Sequence, residues 1–137
     1  MRRLFLSLLL LVSICACSVE RAPLVASDVT ITRPIPGTET TAAYFTLSNN
    51  TTQEITITHV TSTEFESVQI HESAIEDGMS RMYKLGDLRI LAGTSVQFQP
   101  GGKHLMLMRP IGDFDAVTLD FHAGKAVMLS VTVSMTD

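Results

Sequence analysis

The stretch Glu54-Ile55-Thr56-Ile57-Thr58-His59-Val60 decides the fold class. Polar and β-branched apolar residues alternate through it with a period of two. That pattern places Ile55, Ile57 and His59 on one face of an extended strand. The same signal recurs outward in both directions. Residues 28–32 (DVTIT) and 42–47 (AAYFTL) precede the stretch; residues 67–71, 89–91, 95–99, 104–108, 116–122 and 126–135 follow it. Turn-forming residues separate the runs, among them Pro36-Gly37, Asn49-Asn50, Asp77-Gly78, Gly86-Asp87, Ala92-Gly93, Pro100-Gly101-Gly102 and Ala123-Gly124. No window of a dozen residues carries a helical period. Eight or nine short strands with regular turns predict an all-β protein, an antiparallel sandwich or barrel.

The 137 residues suffice for one core, and 45% hydrophobic with only 18% charged residues excludes a disordered chain. Ten basic against 14 acidic residues give a net charge of -4, with no basic stripe to neutralise phosphates, so a nucleic-acid partner is not expected. The two cysteines, Cys15 and Cys17, both lie near the N-terminus. The body of the chain therefore lacks thiols for a disulfide scaffold or a thiolate zinc site.

Arg2 and Arg3 precede an apolar run over residues 4–14, interrupted only by Ser7 and Ser13. A bilayer-spanning helix needs about 20 apolar residues, so this shorter run suits the hydrophobic region of a signal peptide. Ile14-Cys15-Ala16-Cys17 is similar to a bacterial lipobox, with Cys17 as the lipidated residue. The expected organisation is a lipoprotein-type signal peptide over 1–16, a tether over 17–26 and a β-sandwich domain over 27–137. Ordinary secretory cleavage to a soluble product is the alternative. The expected location is the periplasm, with lipid anchoring to a membrane. Ser18 lacks the acidic character associated with inner-membrane retention, which favours the outer membrane.

The seven methionines and four histidines carry the chemistry. His71 ends a predicted strand, Met79 and Met82 follow Asp77-Gly78, and His104, Met106 and Met108 alternate along one strand. Alternation puts those last three on one face, with Leu105 and Leu107 on the other. A thioether is a neutral, polarisable donor that binds Cu(I) well and hard cations poorly, while imidazole is a borderline donor. Two Met with two His suit Cu(I) better than zinc. A blue-copper site is excluded, because it needs a Cys thiolate and none follows Cys17. Other residues take ordinary readings. Met128 is core filler. Met79 and Met108 pack in the core or at the rim, with an auxiliary copper role left open. His59 and His122 are surface or hydrogen-bonded residues, and Glu72 is solvated or orients His71.

The spacing His71-x10-Met82-x21-His104-x-Met106 resembles the H-x10-M-x21-H-x-M signature of the periplasmic copper chaperones called PCuAC. His71-Glu72, Asp77-Gly78, Leu91-Ala92-Gly93 and Pro100-Gly101-Gly102 before His104-Leu105-Met106-Leu107-Met108 add to the likeness. A chance match to the spacing has a probability of roughly three in ten thousand, which weighs against compositional accident. The resemblance implies a cupredoxin-like antiparallel β-sandwich with Greek-key connections. It also implies one Cu(I) held by His71, Met82, His104 and Met106 in a monomeric, non-enzymatic carrier. The implied recipient is the subunit of cytochrome c oxidase that carries the CuA centre, with a Sco-type thiol copper protein as a further partner. The chain stops at Met135-Thr136-Asp137, without the Met/His-rich tail proposed to hold Cu(II) in some members. A metal-free envelope adhesion or assembly sandwich, a copper storage or resistance protein, and a copper-dependent enzyme are the competing readings. Against the enzyme, the ligand set offers no obvious general base.

Overall fold

The computed structural model describes residues 21–135, so the signal peptide assigned to 1–16 and the lipidated Cys17 lie outside the described residues. Within that range the chain runs through β1 (Leu24–Ile31), β2 (Thr40–Asn49), β3 (Ile55–Ile57), β4 (His59–Thr61), β5 (Phe65–Glu76), β6 (Met79–Lys84), β7 (Leu88–Ile90), β8 (Ser95–Phe98), β9 (Lys103–Pro110), β10 (Ala116–Ala123) and β11 (Ala126–Ser134). All-β architecture follows, as the alternating sequence predicts.

The larger sheet has the order β1-β2-β8-β9-β5-β6. Strand β2 spans two partners: residues 40–43 pair with β9 and residues 45–48 with β8. Opposite lie a three-stranded sheet, β11-β10-β4, and a two-stranded one, β3-β7. Between the layers sits one hydrophobic core. Ala43, Phe45, Leu47, Ile70, Phe98, Leu105 and Leu107 meet Ile57, Val60, Ile90, Val117, Leu119 and Phe121 there. Phe45 stacks on Phe98 with ring centroids 4.3 Å apart and meets Phe121 edge-on at 5.5 Å. That second contact joins the two layers, and each such buried side chain contributes roughly 1.5–3 kcal/mol by leaving water. Asn49, also buried, donates to the Gln53 and Ile90 carbonyls and accepts from Thr51, so no polar atom of its amide is stranded.

The run at 54–60 is not one strand. Thr58 donates its backbone N–H to the His122 carbonyl, and the chain passes there from its pairing with β7 to a pairing with β10. Ile55 and Ile57 are buried as predicted, but Val60 replaces His59 as the next inward residue and His59 is exposed. A period-two pattern read along the sequence does not register a change of sheet. The first strand also starts earlier than expected. Leu24, Val25 and Ala26, assigned to the tether, are paired with β2, and Asp28 interrupts the pairing with a left-handed φ of 55°. This bulge resets the alternation within the DVTIT segment, between Ser27 and Thr30.

Candidate metal centre

His71 does not end its strand; β5 continues through Glu76 into a hairpin whose turn residues, Asp77 and Gly78, have φ of 53° and 77°. Two successive positive φ angles are what a two-residue hairpin turn requires, and Asp-Gly supplies them at little steric cost. The register then sets the site. His71 lies directly opposite His104, Gln69 opposite Met106 and Ser67 opposite Met108. On the other side of β5, Ser73 is opposite Met82 and His71 opposite Lys84. Directly opposed residues share a face, so His71, Met82, His104, Met106 and Met108 occupy one face of the large sheet, the one turned away from the core.

His104 is only 5% exposed, although it lies on that outer face. Its ring packs 6.5 Å from Tyr44 and 5.8 Å from His71, centroid to centroid. His104 Nδ1 lies 3.1 Å from the Gly102 carbonyl oxygen. A carbonyl only accepts, so Nδ1 bears the proton and the Nε2 lone pair is left for a ligand. His71 Nε2 lies 3.1 Å from Gln69 Oε1 and donates to it, which leaves the lone pair on Nδ1. That Nδ1 is buried without a hydrogen-bond partner among the described residues. A buried acceptor left unpaired costs about 1–3 kcal/mol, unless a ligand takes the lone pair. Burial holds the His71 pKa below the ordinary histidine value, and the neighbouring His104 and Lys84 push it the same way. The ring is therefore neutral at pH 7, as a metal ligand must be.

Two imidazoles on one ion have centroids at most about 6.4 Å apart, given metal–nitrogen bonds near 2.0–2.1 Å. The observed 5.8 Å meets that limit. Among the described residues no group of three His, Cys, Asp or Glu is placed to hold a metal. The sulfur donors one diagonal step from His71 are the thioethers of Met106 and Met82, which would suit a soft ion.

The four residues singled out by spacing are not all gathered together. Met106 is half-buried beside the His pair, one diagonal step from His71. Met82 is 50% exposed and lies one diagonal step from His71 on the opposite side. Four residues along the strands and two strand spacings separate Met82 from Met106, on the order of 16 Å between backbones. Met108 is half-buried two residues further along β9, and Met79, expected to pack, is 58% exposed. The Glu72 carboxylate pairs with Lys103 Nζ at 2.7 Å. Sequence reasoning missed Gln69, Gly102, Tyr44 and Lys84. Gln69 had a signal, since it sits two residues from His71 and hence on its face. Tyr44 and Lys84 reach the histidines through strand pairing, which local sequence does not reveal.

Comparison with known proteins places these findings. The model of the LpqE-like lipoprotein family matches residues 24–135. A protein of Leifsonia xyli subsp. xyli named a "putative lipoprotein" is 32% identical over 103 residues, 71% of this chain and 62% of that protein. A protein of Rickettsia prowazekii named only as uncharacterized is 30% identical over 76 residues, 55% of this chain and 42% of that one. The matches thus span less than two thirds of either relative. Among solved structures, the copper-bound PCuAC domain from PmoF2 has a TM-score of 0.61 at 20% identity, covering 82% of this chain and 90% of that one. The solution structure of apo-DR1885 from Deinococcus radiodurans has a TM-score of 0.60 at 22% identity, covering 98% and 93%. These likenesses establish the cupredoxin-like β-sandwich.

Proposed function

The chain belongs to the LpqE-like family, and from that premise we propose that it is a copper carrier. It holds one Cu(I) through His71, His104, Met106 and Met82 and passes the ion on without catalysing a reaction. The observation that carries this reading is the unpaired, buried Nδ1 of His71 beside the His104 ring. The copper-bound state of a PCuAC domain with the same fold supports it.

The chemistry of these residues favours exchange. The Gly102 carbonyl and the Gln69 amide fix the two rings, so each presents one lone pair without a prior tautomer change. Thioethers carry no proton in the relevant pH range and do not compete with protons for the ion. A recipient's thiolates can then displace the donors one at a time. The recipient in this reading is the CuA-bearing subunit of cytochrome c oxidase, with a Sco-type thiol protein as a further partner. The mature, monomeric chain acts in the periplasm, anchored through lipidated Cys17 to the outer membrane; the lipoprotein names of the family and of the Leifsonia relative support the anchoring.

Titration of the apo-protein with Cu(I) against a competing chelator tests the binding. One ion per chain is expected, and Met82→Leu together with Met106→Leu should abolish tight binding. Full affinity in that double variant would sink the assignment. Delivery is tested by deleting the gene and assaying oxidase activity with and without added copper. Rescue by copper supports it, and unchanged activity under copper limitation refutes it.

A further inference from the structure

The charged residues of β5, β6 and β9 are sorted by face. Alternation puts Glu66, Glu72, Glu76, Arg81, Lys103 and Arg109 on the face opposite the one that bears His71. There they close into three pairs across the strands: Glu66 with Arg109, Glu72 with Lys103 and Glu76 with Arg81. Lys84 is the exception. It lies directly opposite His71 on β6, and therefore on the face of the histidine pair. The residues around it on that face, among them Gln69, Ser73, Met82, Met106 and Tyr44, are uncharged. Among the described residues Lys84 has no carboxylate partner.

The register brings this cation close to the site. The Leu85 N–H donates to the Ile70 carbonyl at 2.8 Å, so Ile70 and Leu85 form a hydrogen-bonded pair. His71 and Lys84, one step along, are then a non-hydrogen-bonded pair, the kind with Cα atoms only about 4.5 Å apart. The Lys84 charge is felt at the ring, where it adds to burial in holding the His71 pKa low. A cation beside a copper site repels the incoming ion, so it does nothing for uptake. What it attracts is an anion, and the anion that takes Cu(I) from thioethers is a thiolate. Lys84 is exposed, which leaves its ammonium open to an approaching molecule.

We propose that Lys84 steers copper release: its ammonium draws the recipient's thiolate to the His71 side of the site. This rests on the copper-carrier reading above and adds how the recipient's sulfur is recruited. The recipient's thiol first loses its proton to solvent, a step that an adjacent ammonium favours by stabilising the thiolate. The sulfur then forms a bond to Cu(I), and one bond from this chain's donors to the ion breaks. Copper stays Cu(I) throughout, and no electron is transferred.

Stopped-flow transfer of Cu(I) from the loaded full chain tests this at low salt with two acceptors. Dithiothreitol attacks as an anionic thiolate, whereas neocuproine is an uncharged chelator. Lys84→Gln should slow transfer to dithiothreitol by about threefold or more and leave transfer to neocuproine unaltered. Lys84→Arg should keep the wild-type rate with both. The difference between wild type and Lys84→Gln should vanish in about 1 M salt, where the screening length is about 3 Å. Equal slowing with both acceptors, no slowing with dithiothreitol, or slowing that persists in Lys84→Arg overturns the steering role and leaves the carrier reading standing. Failure of the wild-type apo-protein to take up Cu(I) overturns both.

Discussion

The protein contains two pairs of histidines facing each other across antiparallel strands, and only one of them is built like a ligand site. His59 and His122 lie opposite each other on β4 and β10, with rings stacked 4.3 Å apart at 9°. His71 and His104 lie opposite each other on β5 and β9, with rings 5.8 Å apart and tilted by 53°. Parallel stacked rings aim their in-plane lone pairs side by side, so a single ion cannot lie in both ring planes. A tilted pair can converge on one point. The partners differ as well. Threonine hydroxyls, able to donate or accept, contact His59 Nδ1 and His122 Nε2 at 2.9 Å. Gly102 and Gln69 offer His104 and His71 oxygens that only accept, and these dictate which nitrogen keeps its lone pair. Equal sequence chemistry thus acquires unequal geometry for holding an ion, through burial and the neighbours' hydrogen-bonding character.

The largest expected effect separates the pairs outright. His104→Ala or His71→Ala should weaken Cu(I) binding by about 1,000-fold or more, roughly 4 kcal/mol, in a chelator competition. His59→Ala and His122→Ala should leave the affinity unchanged; a comparable loss there would erase the distinction. A smaller effect is expected from Gln69→Leu, which removes the acceptor that orients His71. Affinity should fall about 10-fold, within the range typical of residues that position metal ligands. An unaltered dissociation constant would show that His71 is oriented by packing alone.

Acid gives the third test. The folded-state pKa of His71 lies below its unfolded value, mainly through burial. The unfolded chain then binds more protons in that window, so stability is fully present above about pH 6.5 and declines as pH falls from there toward the folded pKa. The melting temperature of the apo-protein should show this decline, and His71→Gln should remove its share of it. Identical slopes in wild type and variant would refute the assignment to His71. Since the lowered pKa delays protonation, His71 should also stay competent for Cu(I) below the pH at which an exposed histidine is lost. The smallest effect is expected at the stacked pair: Thr61→Val should change unfolding free energy by less than about 1 kcal/mol and Cu(I) affinity not at all.

The elements legible in the sequence are those with one wet and one dry face. Residues 104–108 alternate cleanly because Leu105 and Leu107 enter the core while His104, Met106 and Met108 do not. Strand β6 was not predicted as a strand, since both of its faces meet solvent and Met79-Ser80-Arg81-Met82-Tyr83-Lys84 has no reason to alternate. Conversely, residues 54–60 alternate too well and conceal the change of sheet at Thr58. The site divides along the same line. His104 and Met106 share a strand and could be placed together by period alone. That His71 faces His104 is a matter of cross-strand register between residues 33 positions apart, which only the spacing signature anticipated. The same signature names Met82 but does not reveal that its backbone stands off from the pair.

The way β2 spans two neighbours has a consequence for how the chain acquires its shape. Strand β2 is complete by residue 49, yet the strands that flank it toward the sheet centre begin at Ser95 and Lys103. A chain emerging from its N-terminus must carry β1 and β2 as an unsupported ribbon until about fifty residues later. Such remote pairings make folding slow, on the order of milliseconds to seconds for all-β domains. Any chaperone that guards this chain would have β2's apolar face, Ala43, Phe45 and Leu47, as the surface exposed for longest.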